Sequence, residues 1–371
     1  MKIISSSVFL VRWPFSRPVQ HSLACNEATQ NLVVKLTSES GRSGFGEGIP
    51  RPYVTGETLD ASIEALRRDY LPALMKQEFS PDRALGLMSD IFPESFLDRR
   101  PASACALETA LWDLAGKIQD QPAVNSLGPV RSVMTYSGVI PFDSLGKLSQ
   151  VLTLIQSLGL KEIKFKVGGE HDLETAAMIR HSLGPEIRLR ADANGAWEPE
   201  EAVRRIEALN AFNLEAVEQP VPKEQVSGLA YVKERVKPLI LADESICTQT
   251  EAKTLIAHQA VDGFNLRLSK CGGPWRTLKL LDLARQAGLV CMLGCQVGEL
   301  GLLSAAGRHF AATQPDLIYL EGCLTKLILD SDIITDNLLF SFGGQAFPLT
   351  GPGLGVTVDE SRLVDSFLFR L

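Results

Sequence analysis

The chain has 371 residues, 45% of them apolar and 22% charged, with a formal net charge of −7. This size and balance fit a globular protein with one large domain and a smaller companion. The acidic sum, without a Lys/Arg run interleaved with aromatics, argues against a nucleic-acid partner. The apolar run Ile3–Val11 is broken by Ser5–Ser7, is too short for a membrane span and is followed by no small-residue cleavage site, so a cytoplasmic protein with no membrane partner is expected.

From Lys2 to Gly48 the pattern is one of antiparallel strands, with a strand at Asn31–Leu36, a turn at Ser38–Ser43 and a return beginning at Gly44. The G-F-G-E-G at Gly44–Gly48 lacks the strand-to-helix context of a phosphate loop and reads as hairpin glycines. Helical spacing follows over Glu57–Lys76, Pro81–Ile91 and the Ala-rich Ser103–Gln119, with Thr58 placed to help cap the first. Strands followed by helices, without alternation, predict an α+β domain over residues 1–125.

After that the register changes to strict alternation of strand and helix. Val133–Val139 is the first expected strand, and others end near Lys166, Asp192, Glu218, Asp243, Lys270, Cys295 and Glu321, with helices such as Leu145–Leu158, Glu198–Leu209 and Trp275–Gln286 between them. Eight strands are enough to close a (β/α)8 TIM barrel, placed at residues 126–335. The Gly-rich segment 336–371 ends in an apolar stretch and is expected to return to the first domain and complete it. The seven cysteines, including Cys247, Cys271 and Cys323, are scattered and never spaced C-x2-C, so buried thiols are expected rather than a disulfide or zinc framework.

Five charged residues, Lys166, Asp192, Glu218, Asp243 and Lys270, recur at nearly one strand–helix repeat, each after a short apolar run such as Ile163–Val167 or Phe264–Leu268. Charges at the same point of successive repeats converge on the mouth where barrel strands end. Residues two apart on a strand share a face, so Lys164 joins Lys166, and Asn194 joins Asp192. Three acids make an oxygen-only site suited to a hard divalent cation, and Mg2+ fits because it keeps positions open for substrate oxygens.

The motifs K-F-K-V-G, R-A-D-A-N-G-A-W, V-E-Q-P, L-A-D-E-S and S-K-C-G-G, with A-L-E-T-A-L-W-D-L-A-G-K at Ala106–Lys117, resemble the enolase superfamily and, within it, the muconate-lactonizing-enzyme subgroup. The resemblance implies a capping domain on a modified barrel, with Mg2+ (or Mn2+ as a substitute) held by Asp192, Glu218 and Asp243. It also implies Lys166 and Lys270 as acid/base groups on the two faces of the substrate and Lys164 as an auxiliary. Asn194 and Glu244 would support the ligands from behind. The mandelate-racemase branch, which uses a His–Asp dyad, is disfavoured because no histidine falls at the end of a predicted barrel strand. A lysine with the usual pKa of about 10.4 is mostly protonated at neutral pH; a neighbouring ammonium, a metal and desolvation would each make Lys166 a better base.

The expected reaction is removal of the α-proton of a small carboxylate substrate. Racemisation or epimerisation of a dipeptide or other amino-acid derivative leads, with muconate-type cycloisomerisation and syn elimination as alternatives. Dipeptide epimerases tend to carry a D-x-D pair at the end of the eighth strand; here the stretch is Tyr319-Leu320-Glu321. Glu321 is the candidate to read the substrate's distal group, with Tyr319 and Cys295 nearby. Two capping loops, Phe15–Cys25 with Arg17 and His21 and Ile49–Gly56 with Arg51 and Tyr53, are expected to close over the mouth, where either arginine could bind a carboxylate. A homo-oligomer, dimer or octamer, is a family implication. A Schiff-base aldolase would account for Lys270 but not for the three acids, and a binding protein on a retired scaffold would not need all five positions filled.

Overall fold

The computed structural model describes the backbone of residues 1–21, 24–141 and 145–371, and side chains outside 17–26 and 142–145. Ile3–His21, Ala24–Ser38 and Ser43–Gly48 form an antiparallel sheet, and the C-terminal strand Phe367–Arg370 adds to its free edge against the first strand, Ser7 opposite Arg370. The helix Pro101–Gln119 packs on this sheet. Its proline sits in the first turn, where no N–H is needed, and the buried Glu57 accepts from Ala102 N at 2.7 Å and Ser103 Oγ at 2.6 Å.

The glycines of G-F-G-E-G owe their identity to this packing. Gly44, Gly46 and Gly48 recur every second residue on one strand face, and a Cβ at each would overlap the carbonyl oxygens of Ala110, Ala106 and Ala102, one helical turn apart. Strand and helix therefore approach backbone to backbone. Between these glycines, Glu47 points the other way and accepts from Leu300 N at 2.8 Å and Leu303 N at 2.9 Å, at the start of the helix Gly301–Thr313, pinning the sheet to the barrel.

Eight parallel strands follow in strict chain order: Gly138–Ile140, Glu162–Lys166, Arg188–Asp192, Leu214–Glu218, Leu239–Ala242, Gly263–Leu266, Val290–Leu293 and Leu317–Leu320. A bond from Ser137 N to Leu320 O, 2.8 Å, joins the two ends of the curled sheet. The expected strand Val133–Val139 is two pieces: Met134–Thr135 pairs with Gln345–Ala346, and only Gly138–Ile140 enters the barrel. Pro81–Ile91 likewise divides into a turn at Pro81–Arg83 and a helix at Leu87–Ile91, separated by Gly86 at φ 85°, which lies against the Trp275 ring. Among the described residues no helix is long and apolar enough to cross a membrane.

Candidate active site

Strand alternation decides what enters the lumen. Lys166, Asp192 and Glu218 are cross-strand partners on the second, third and fourth strands, so they stand level at the strand ends. Asp243 follows the fifth strand directly. All three carboxylates are buried, and each is met by a cation. Asp192 lies 2.7 Å from Lys166 Nζ and 3.4 Å from Lys164 Nζ. Glu218 lies 3.4 Å from Lys164 and 3.2 Å from Arg267. Asp243 pairs with Arg267 and, at 2.7 Å, with Lys270.

Burial pushes Glu218 up to about 8, and the neighbouring Asp192 adds to it, with Lys164 opposing. Asp192 and Asp243 are also buried, yet the cations beside them, Lys166 and Lys164 for the first, Arg267 and Lys270 for the second, hold both below the usual carboxylate range. Burial works to depress Lys164, but Glu218, Glu321 and Asp192 outweigh it and keep it an ammonium.

Asn194 organises the next layer. It takes a left-handed backbone, φ 45°, which asparagine tolerates better than most residues. From there its Oδ1 accepts from Lys166 Nζ at 2.5 Å, while its Nδ2 donates to Glu244 at 2.9 Å. The second carboxylate oxygen of Glu244 has no hydrogen-bond partner among the described residues, and burial pushes this acid up to about 7.

The donors are thus all oxygen and crowded, and burial raises both Glu218 and Glu244, which fits a hard divalent cation. Among the described residues no three acids stand around one point closely enough to hold an ion as the side chains lie. Lys166, Lys164, Lys270 and Arg267 pair with the carboxylate oxygens.

Several expected positions differ from their sequence placement. Lys270 does not end the sixth strand. That strand stops at Leu266, and Lys270 lies in the short helix Leu268–Cys271, its side chain 0% exposed and its Nζ on both the main-chain oxygen and the carboxylate of Asp243. Arg267, missed from sequence, takes the strand-end place; the alternation of Gly263 and Asn265 was the signal for it. Asn265 Nδ2 donates to Glu218 at 2.7 Å and so marks that face as the inner one.

Glu321 lies in the barrel interior after the eighth strand. It is 2% exposed and closed into pairs with Lys164 at 2.8 Å and Arg190 at 3.0 Å. Tyr319 sits two residues deeper, its ring beneath the Arg190 guanidinium and its hydroxyl bonded to Glu215 at 2.5 Å. Arg51 is buried, donates to Val297 O at 2.9 Å and hydrogen-bonds with the half-buried Tyr53. Its segment lies on the barrel loops: Ile49 N donates to Ser269 and Lys223 donates to Val54 O. Cys295 is half-buried after the seventh strand. The side chains of Arg17 and His21 lie outside the described residues.

Comparison with known proteins agrees with this architecture. Residues 3–128 match the model of the mandelate racemase / muconate lactonizing enzyme N-terminal domain, and residues 148–362 match that of the enolase C-terminal domain-like family. A hydrophobic dipeptide epimerase of Enterococcus faecalis is 31% identical over 93% of this chain and 91% of its own length. A crystal structure of a dipeptide epimerase from that organism, complexed with Mg and the dipeptide L-Leu-L-Tyr, superposes with a TM-score of 0.88 at 29% identity, over 96% of this chain and 100% of the other. The N-succinyl Arg/Lys racemase of Bacillus cereus gives a TM-score of 0.90 at 25% identity, over 100% and 99% of the two chains.

Proposed function

The chain belongs to the enolase superfamily, in its mandelate racemase / muconate lactonizing enzyme branch, and is an isomerase of that superfamily; on that premise we propose that it removes the α-proton of a carboxylate substrate with the help of a divalent cation such as Mg2+. The observation that carries this reading is the level row of Lys166, Asp192 and Glu218, with Asp243 beside it, at one end of the barrel lumen.

Asp192, Glu218 and Asp243 would hold the ion. When bound, it supplies positive charge against the two oxyanions that form as the proton leaves. Lys166 is the proton acceptor: the Cα–H bond breaks, the proton passes to Nζ, and the electron pair moves into the carboxylate to give an enediolate. Asn194 Oδ1 and Asp192 orient that amine. Lys164, enclosed by three acids, serves as a fixed cation in the floor of the site. The capping segment Ile49–Gly56 and the loops beneath it limit access of water.

For the outcome, the relatives favour racemisation or epimerisation of an amino-acid derivative such as a dipeptide. A second reading, in which the enediolate closes a ring or expels a β-substituent, is favoured by the burial of Lys270, whose side chain is 0% exposed and paired with Asp243 at 2.7 Å. A screen of pooled dipeptides, N-acylated amino acids and unsaturated diacids in D2O, by mass spectrometry with Mg2+ and with chelator, tests the proposal. Mg2+-dependent α-deuteration supports it. Deuteration that persists undiminished in chelator contradicts the metal's role.

A further inference from the structure

We propose that Glu108 and Ser269 are positioning residues for Lys270, so that the N-terminal domain, residues 3–128, holds one of the two proton-transfer groups of the site in place. This role rests on the proton-abstraction reading above, in its epimerising form.

Inversion at Cα needs a group on each face. Lys166 takes the proton from one face and the electron pair enters the carboxylate; an ammonium on the other face then delivers a proton to Cα as the pair returns. The second and sixth of eight strands lie across a barrel from one another, which puts Lys270, just past the sixth strand, opposite Lys166. The two lysines are not held alike. Lys166 ends a strand paired on both sides, with Gly138–Ile140 and with Arg188–Asp192. Lys270 lies in a helix of four residues, Leu268–Cys271. A single turn of helix is not stable by itself. Its place must be fixed from outside.

Three attachments to the N-terminal domain do so. Ser269, next to Lys270, accepts from Ile49 N at 2.8 Å through its hydroxyl, which also donates to Ile49 O at 3.3 Å. The wholly buried Glu108, on the helix Pro101–Gln119, accepts from Gly86 N at 3.3 Å and from Trp275 N at 2.9 Å. Trp275 N is one of the first-turn donors that the helix Pro274–Gln286 cannot satisfy itself. The same carboxylate lies against Gly273, at φ 108°, where a Cβ would stand 2.3 Å from Glu108 Oε2. The last glycine of S-K-C-G-G is therefore demanded by a side chain of the other domain. Gly273 N in turn donates to Leu268 O at 2.9 Å, which closes the short helix. Lastly, Arg276 donates from Nε to Cys271 O at 3.2 Å while its guanidinium pairs with Glu94 and Asp98. The burial of Lys270 follows from this seam, since its helix packs on Pro101–Gln119.

Losing the Ser269 or Glu108 contact frees the turn on one side of Lys270 and leaves the strand of Lys166 untouched. Misplacing a reacting group by about 1 Å costs about a hundredfold in rate. The damage is therefore confined to one face of the substrate, a signature that a merely structural role does not give.

Each enantiomer of a compound active in the D2O screen is followed separately by proton NMR, reading the initial loss of its α-proton. Wild-type protein is expected to exchange both. Glu108→Ala and Ser269→Ala are expected to slow one enantiomer, the same one in both variants, by about tenfold to a hundredfold and the other by less than about twofold. Glu108→Gln, whose side-chain oxygen still accepts from Trp275 N, is expected to recover most of the loss. Urea unfolding followed by circular dichroism identifies the variants that fold, and Ser269→Ala, which removes a single hydroxyl, keeps the test open where Glu108→Ala does not. Equal slowing of both enantiomers in the folded variants, or no slowing of either, overturns the positioning role. Wild-type protein that exchanges one enantiomer only overturns it too and leaves Lys166 as proton acceptor. Wild-type protein that binds no Mg2+ by calorimetry and exchanges no proton sinks the underlying reading, and the positioning role with it.

Discussion

Removing the carboxylate of Glu321 separates two roles for this residue, reader of the substrate or neutraliser of the barrel interior. In the structure Glu321 stands between Lys164 and Arg190, at 2.8 and 3.0 Å, and all three side chains are almost wholly buried. Lys164 keeps Asp192 and Glu218 at 3.4 Å when Glu321 is lost. Arg190 keeps only the Tyr319 ring and the Met292 sulfur, having no other ion-pair partner among the described residues. Breaking a buried pair by removing one member costs about 3–5 kcal/mol, and because Lys164 retains partners the lower end, about 3 kcal/mol, applies to Glu321→Leu. If that cost is an uncompensated guanidinium, Glu321→Leu combined with Arg190→Leu regains most of it, giving a coupling of about 2 kcal/mol in a double-mutant cycle. Urea unfolding followed by circular dichroism reads all four proteins. An unchanged midpoint in Glu321→Leu, with KM raised for a cationic substrate, would refute the reasoning and return Glu321 to the substrate.

Three further outcomes are expected. Lys166→Ala lowers α-proton exchange by about a hundredfold or more while leaving Mg2+ binding measurable by calorimetry, since a positioned base contributes about 10²–10⁴ to rate; normal exchange in that variant rules out Lys166 as the acceptor. Gly46→Ala forces a Cβ into the Ala106 carbonyl and destabilises the protein by about 3 kcal/mol, read as a lower urea midpoint; an unchanged midpoint means the strand and helix can part freely. Glu47 is pushed by burial up to about 7, against the backbone N–H groups of Leu300 and Leu303. Its folded value exceeds its unfolded one, so the native state binds more protons between about pH 4.5 and 7, and stability falls as pH rises through that window. In Glu47→Gln the fall from pH 5 to pH 8 should be smaller by about 2.5 kcal/mol. An identical pH slope in the two proteins would count against the shift.

What the chain determines alone is what depends on near neighbours in sequence. Alternating strand and helix periods, and the charges that end apolar runs, disclose the barrel and the level row of Lys166, Asp192 and Glu218, because a strand's side-chain period is local and parallel neighbours repeat it. Thr248 and Glu251 close a capping box around the start of Gln249–Ala257 for the same local reason. What depends on a partner across space is decided by tertiary structure. Phe264–Leu268 reads as one apolar run, yet the turn into a short helix after Arg267 puts Arg267 inside the lumen and leaves Lys270 buried. Val133–Val139 reads as one strand, but Gln345–Ala346 captures its first half. Glu321 looks like a free strand-end acid until Lys164 and Arg190, from two other strands, reach it in a medium where a buried charge must be paired. Composition and period specify which segments are built; the pairing of buried charges, which no segment carries by itself, settles which of their ends stay exposed.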